Sequence, residues 1–353
     1  MIFCIGDEII NSICNNEQNF PQDLLLYQLN SIVNSNYNIL TVESNLIVKK
    51  YTEVKDSSVI DNSLKKILFR CFKEYSQVFG LTKIVVTKII ITLSEDIILT
   101  SDMKISLNYL CKHELLLGNR VNLLSEDNSD AEFYHNIAQY IYKDRAPGTT
   151  VQFRHSAAAG NNLGSTLEKN VMENGDFVLS ICDSDINVPG NDVGVTANSL
   201  CKAKNKLRDE NVYHFECWVL EVHEKENLIT PKEYGKFLTD NNNYEYFIFF
   251  EDSSEHFDYL LYYDYKFGIK KSNMNSLYNM DFINLFPHFL NGKVIEELQP
   301  KESITVNLGR KCLSNFRPEF LNDNTDNKIE KYRKAIALIV WSWGLSYRSK
   351  LII

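Results

Sequence analysis

The sequence predicts an α/β protein built on a doubly wound parallel sheet, and three observations carry that expectation. Between residues 119 and 221, short apolar runs alternate with stretches of helical periodicity, the order that parallel strands with covering helices require. Two of the runs, "NLLSEDNSD" and "FVLSICDSD", stop abruptly in carboxylates. A turn of small residues, "SAAAGNNLGS", joins a strand-like stretch to a helix-like one.

Residues 1–118 form a first α/β block. Helical periodicity marks "PQDLLLYQLNSIVNS" and "NSLKKILFRCFKEYSQVF", and β-like runs mark "YNILTV" and "TKIVVTKIIITL". "MIFCIGDEII" reads as a first strand ending in Asp7 and Glu8. A PIN-like nuclease arrangement and an accessory or dimerising domain are both open for this block.

In residues 119–231, "RVNLLSE" is the first strand of a second unit. "DAEFYHNIAQYIYKD" follows as a helix, with Phe133, Ile137, Tyr140 and Ile141 at helical spacing and Asp130 as its cap. "TTVQFRHS" alternates as a second strand, and the small-residue turn leads into the helix of "LEKNVMEN". "DFVLSICDSD" is the third strand, "DVGVTANSLCKAKNKLRDE" the next helix and "NVYHFECWVLE" the fourth strand. Residues 232–353 are a mixed, mainly helical region. It holds the aromatic stretch "YEYFIFFEDSSEHFDYLLYYDYKFG" and a last helix over "NKIEKYRKAIALIVWSWGLSYRS". Polar loops are expected at 239–245 and 322–327.

The 353 residues carry a net charge of −9, against the basic balance of a protein that coats nucleic acid. The eight cysteines (4, 14, 71, 111, 182, 201, 217 and 312) form no CxxC pair, so they read as small buried hydrophobes rather than zinc ligands. The N-terminus lacks a basic flank and no apolar run is long enough to span a bilayer, so the expectation is a soluble, cytoplasmic protein with no membrane partner.

The chemistry gathers at strand ends. In a parallel sheet all strands of one direction end on one edge, where ligands bind. Glu126, Asp127 and Asp130 follow the first strand of the central unit, and Asp183 and Asp185 follow the third. If those strands are neighbours, Glu126 meets the aspartate pair. Asp183 and Asp185, two apart on an ordered strand, would share a face. Oxygen-only clusters suit hard cations, Mg²⁺ or Mn²⁺. Asp130 is open between helix cap and second-metal ligand. Lys202, Lys204, Lys206 and Arg208 in "KAKNKLR" would receive a phosphate backbone or form a solvated helix face. His155, beside the small-residue turn, is a candidate acid or phosphate contact, whereas His135 reads as packed or capping. "WSWG" reads as core or as an interface anchor.

The run "VNLLSEDNSDAEFYHNIAQYI … FVLSICDSDINVP" resembles a Toprim domain, the catalytic module of topoisomerases, bacterial primases and OLD-family nucleases. The resemblance covers about 119–231. It places Glu126 on the family's glutamate and Asp183 and Asp185 on its DxD, and it implies a central Toprim-type, Rossmann-like sheet. "VLEVHEKENLITP" is similar to the "R-E-I-E-N-L-x-x-P" stretch of OLD-like nucleases, where Glu226–Asn227 would add a metal ligand or a structural bond. Lys266 would contact the leaving phosphate, as a downstream lysine does in OLD-like enzymes, or be a solvated lysine. Two departures stand out: Asp127 replaces the usual glycine, and Asn187 replaces the third acid of a DxDxD, which favours nuclease over primase.

The resemblance implies an Mg²⁺-dependent endonuclease acting on DNA first and tRNA second, as the effector of an anti-phage or abortive-infection system. The chain has no GxxxxGK[ST] of its own, so a separate ATPase sensor is the expected partner, with homo-oligomerisation open. The competing expectation is a non-catalytic, metal-stabilised docking subunit of a defence complex.

Overall fold

The computed structural model describes residues 1–94, 102–144, 146–236, 243–292, 294–309, 313, 316 and 327–347. It is a mixed α/β structure with two four-stranded parallel sheets flanked by helices. The first sheet contains β1 (Ile2–Ile5), β2 (Ile39–Val42), β3 (Ile89–Thr92) and β4 (Met103–Ser106), in the order β2-β1-β3-β4. All four residues of β1, β2 and β3 are buried, which matches their continuous apolar composition. Asp7 and Glu8 do follow β1, but they open the helix Asp7–Cys14. The Asp7 carboxylate accepts hydrogen bonds from Ser44 Oγ at 2.7 and 2.9 Å, and its N–H donates to Glu43.

The second sheet is built from β5 (Asn122–Ser125), β7 (Arg154–Ala157), β8 (Val178–Cys182) and β9 (Phe215–Val219), in the order β7-β5-β8-β9. β5 pairs directly with β8, Asn122 opposite Val178, so the two strands that end in acids are neighbours. Alternation along them sorts side chains between two cores. Leu123, Leu179 and Ile181 join the main core, whereas Leu124, Val178 and Cys182 face a second one. The helices Leu163–Met172 and Val195–Asp209 cover the second core through Leu163, Leu167, Leu200 and Leu207. The helix Asn128–Tyr142 lies on the other face, through Ala131, Tyr134, Ile137, Ala138 and Ile141.

Two expected elements are divided. "TTVQFRHS" is not one strand: β6 (Thr149–Val151) and β7 flank Gln152 and Phe153, where the chain changes partners. Gln152 N–H donates to Gly344, and Arg154 N–H donates to Val121. The expected last helix stops at Gly344, and β10 (Leu345–Tyr347) pairs antiparallel with β6. Gly344 is required at that junction, because a Cβ there would sit 2.3 Å from the Phe153 ring. Trp341 and Trp343 of "WSWG" are buried, and Trp341 stacks on Tyr142. Residues 239–242 and 322–326 of the two expected loops lie outside the described residues. Among the described residues no helix is long and apolar enough to cross a membrane.

The main core includes buried side chains from all three sequence segments. Phe3 of the first sheet meets Phe177 beside the second in an edge-on contact. Arg333, 1% exposed, pins the helix Lys328–Gly344 against residues beyond β9. It donates to Leu228 O at 3.2 Å and to Glu233 Oε2 at 2.7 Å. Removing one partner of such a pair strands a buried charge. Arg333→Ala is therefore expected to lose about 3–5 kcal/mol of stability, read as a lower urea midpoint. Lys232→Ala, which breaks an exposed pair with Asp252, is expected to lose less than about 1 kcal/mol.

Candidate acidic site at the sheet edge

Because β7, β5, β8 and β9 are parallel, their carboxyl ends share one edge. Glu126 follows β5, and Asp183 and Asp185 follow β8. The chain beyond β9 adds His223, Glu224, Lys225 and Glu226. The last four were legible only in part: "EVHEKEN" is a charged stretch with no period of its own, and it folds as a short 3₁₀ turn, Lys225–Leu228.

Glu126 presents a buried Oε1 with no hydrogen-bond partner. Burial first, then the negative charges of Asp185 and Asp130, push its carboxyl up to about 7, with Lys266 opposing. Asp127 is the N-cap of the helix Asn128–Tyr142, in place of the expected Asp130. Asp127 Oδ1 accepts from Asp130 N–H at 3.0 Å, and Asp130 Oδ2 accepts from Asp127 N–H at 3.2 Å, a reciprocal capping box. Asp127 has φ −139°, an extended conformation open to any residue, so no glycine is needed after Glu126. Asp130 also holds the Lys225 ammonium in an ion pair.

Asp183 and Asp185 leave β8 in different ways. Asp183 Oδ1 accepts from Lys225 N–H at 3.0 Å, with Tyr134 OH at 3.4 Å. Burial, followed by Glu226, Asp130 and Glu224, holds its carboxyl well above the usual range. Asp185 is more exposed and adopts φ +56°, the left-handed region, so the strand alternation that would align it with Asp183 ends before it. A Cβ on Gly194 would lie 2.6 Å from the Cβ of Asp185, a contact that side-chain rotation cannot relieve, so glycine suits the start of the next helix.

Lys266 is half-buried and paired rather than free on the surface. Its Nζ sits 3.3 Å from Glu224 Oε2 and 3.2 Å from Glu226 Oε2. Burial works against its charge, but Glu226, Glu224 and Asp183 outweigh it and hold the ammonium above its ordinary pKa. Burial, with Glu226 and Asp264 adding to it against Lys266, pushes Glu224 up to about 7. Asn227 takes the structural alternative: its amide donates to Leu260 O and Tyr263 O, and Oδ1 accepts from Glu224 N–H.

The other candidates lie away from this edge. The helix Val195–Asp209 starts beside Asp185, and at about 1.5 Å per residue its last turns are well over 10 Å away. There Lys204 pairs with Glu216 at 2.8 Å, Lys206 with Glu168 at 2.5 Å, and Arg208 with Glu216 at 3.6 Å. Those pairs give the basic stretch a structural use, and only Lys202, exposed and nearer the edge, is spared them. His155 sits opposite Leu123, short of the strand end, with Nε2 3.0 Å from His135 Nδ1.

Among the described residues, the group whose ligand atoms all lie within 4.8 Å of one another is His223, Glu224 and Asp264. Glu126, Asp183 and Asp185 share the edge without forming such a group. The orphaned oxygen of Glu126 and the crowded carboxyl of Asp183 nonetheless fit a cation's needs. Comparison with protein-family models, curated proteins and solved structures gives no match for this chain.

A carboxyl whose pKa is raised on folding binds its proton more tightly in the native state. Its contribution is present below the unfolded value of 4.5 and is lost as pH rises through about 7. In chelator-treated buffer, Glu126→Gln is therefore expected to melt above the wild type at pH 8 and close to it at pH 4.5. Equal melting differences at both pH values would contradict the burial of Glu126.

Proposed function

We propose that the chain is a Toprim-type, divalent-metal-dependent endonuclease that hydrolyses phosphodiester bonds in nucleic acid. The observation that carries the reading is the direct pairing of β5 with β8. That pairing sets Glu126, with its unpartnered buried oxygen, on the same edge as Asp183 and Asp185. These are the three positions on which the sequence resembles the Toprim pattern.

Asp183 and Asp185 would hold the ion, with Glu126 sharing its ligation or serving as general base, and Mg²⁺ or Mn²⁺ would supply water activation and charge neutralisation at the phosphate. The rest falls to the protein's own groups. Where Glu126 is not itself a ligand, its carboxylate, with the unpartnered Oε1, accepts the proton of the attacking water. The water oxygen forms the new bond to phosphorus as the ester bond to the leaving oxygen breaks. Lys266, held charged by Glu224 and Glu226, faces the negative charge that gathers on that leaving oxygen. Lys225 supports Asp183 through its N–H and Asp130 through its ammonium. As an effector of a defence system, the nuclease would work on DNA or tRNA under an ATPase sensor.

A second reading, a docking subunit without catalysis, draws on a specific observation. Lys225 and Lys266 already neutralise Asp130, Glu224 and Glu226 from within. Cleavage of plasmid DNA and of tRNA in Mg²⁺ or Mn²⁺ separates the two. Asp183→Asn and Glu126→Gln are each expected to lower the cleavage rate by about 10²-fold or more, the scale of losing one electrostatic group at a reacting centre. Lys266→Met is expected to fall by a similar factor. Wild-type protein that cleaves neither substrate, alone or with an ATPase partner, favours the docking reading.

A further inference from the structure

Beyond the oxygen-only site lies a cluster of different chemistry. His223 follows β9, Glu224 is next to it, and Asp264 arrives from the segment after the short helix Tyr259–Tyr262. One ligand atom from each lies within 4.8 Å of the other two. His223 is 6% exposed, and neither ring nitrogen makes a well-formed hydrogen bond, although the Ile186 backbone lies near the ring. Buried polar atoms are nearly always satisfied, so two such nitrogens on one imidazole need an explanation.

The spacing supplies one. His223 Nε2 is 4.0 Å from Asp264 Oδ2, too far for a hydrogen bond. Two donors about 2.1 Å from one cation stand roughly 3.0 Å apart at cis octahedral positions and roughly 3.4 Å apart at tetrahedral ones, so a side-chain adjustment of about 1 Å or less closes the gap. Asp264 is already oriented: Oδ1 accepts from Phe267 N–H at 2.8 Å, which leaves Oδ2 for His223 and for Lys270 at 3.7 Å. The three residues line a cavity of about 290 Å³ that also touches Asp185 and Asn187. That space leaves room for water or a phosphate oxygen as a further ligand.

We propose that His223, Glu224 and Asp264 form a second divalent-cation site, one that takes a transition-metal ion of the Mn²⁺ type in preference to Mg²⁺. An imidazole nitrogen among carboxylates suits Mn²⁺ or Zn²⁺, whereas Mg²⁺ prefers oxygen and its own waters. Lys266, 3.3 Å from Glu224, and Lys270, 3.7 Å from Asp264, are the cations that an incoming ion must displace. The site therefore binds more weakly than one with free carboxylates. The proposal goes beyond the nuclease reading and does not depend on it.

The test uses the full chain, stripped with chelator and loaded with Mn²⁺ alone. Pulsed electron paramagnetic resonance detects the ¹⁴N of an imidazole bound to Mn²⁺. The expected result is a nitrogen signal in the wild type that persists in Glu126→Gln and vanishes in His223→Gln. In calorimetry, Asp264→Asn is expected to weaken this Mn²⁺ binding roughly tenfold or more, with circular dichroism unchanged. Mn²⁺ binding with no nitrogen signal in the wild type, or a signal that survives His223→Gln, overturns the proposal. Either result leaves the oxygen-only reading of Glu126, Asp183 and Asp185 standing. Should His223→Gln fail to fold, unchanged affinity in Asp264→Asn overturns it equally.

Discussion

Two lysine ammonium groups make the acidic edge of the second sheet possible. At 4 Å, two like charges repel by about 4 kcal/mol at an effective dielectric near 20, and this edge gathers acids from three strand ends. Lys225 reaches Asp130 on the helix after β5, while its backbone N–H holds Asp183 after β8. One residue beyond β9 thus ties down the ends of both neighbouring strands. Lys266, from a later segment, sets its ammonium between Glu224 and Glu226, both in the stretch that follows β9. The carboxyls of Glu126, Asp183 and Glu224 stay raised, first because they are buried and then because neighbouring acids add to the burial against Lys266.

Hydrogen bonds beside the same edge hold the C-terminal region in place. The amide of Asn227 donates to Leu260 O and Tyr263 O, which places the segment that carries Asp264 and Lys266 over the strand ends. Behind it, Arg333 joins Leu228 and Glu233 to the last long helix. That helix runs on into β10, which closes against β6. The start of β1 also meets β10, as the buried amine of Met1 donates to Leu345 O and to Asn38. The edge is therefore held by elements far apart in sequence, and its geometry is a property of the whole packed chain.

Sequence made the parts with strong local signals legible. Apolar runs ending in carboxylates located Glu126 and Asp183, and helical spacing located the helix Asn128–Tyr142. What escaped had no period or depended on a distant partner. "TTVQFRHS" alternates throughout, yet its halves pair with different strands, because β10 comes from the far end of the chain. Asp130 looked like a cap, but Asp127 takes that role and Asp130 answers it from the third helical position. Lys266 could not be separated from a solvated lysine by spacing, since Glu224 and Glu226 lie some forty residues before it. The basic stretch "KAKNKLR" invited a phosphate, while Glu168 and Glu216 were close enough to claim it.

Asp183 and Asp185 look equivalent in sequence, and the backbone makes them different. Asp183 continues the direction of β8 and is drawn inward by Tyr134 and Lys225. Asp185, with its left-handed φ, turns outward while its N–H donates to His223 O at 2.9 Å. That bond fixes the position of His223 relative to the aspartate pair, and both residues line the same cavity. An occupant of the cavity therefore meets both Asp185 and His223. The turn that breaks strand alternation couples the oxygen-only edge to the nitrogen-bearing cluster, so a change of backbone at Asp185 alters both.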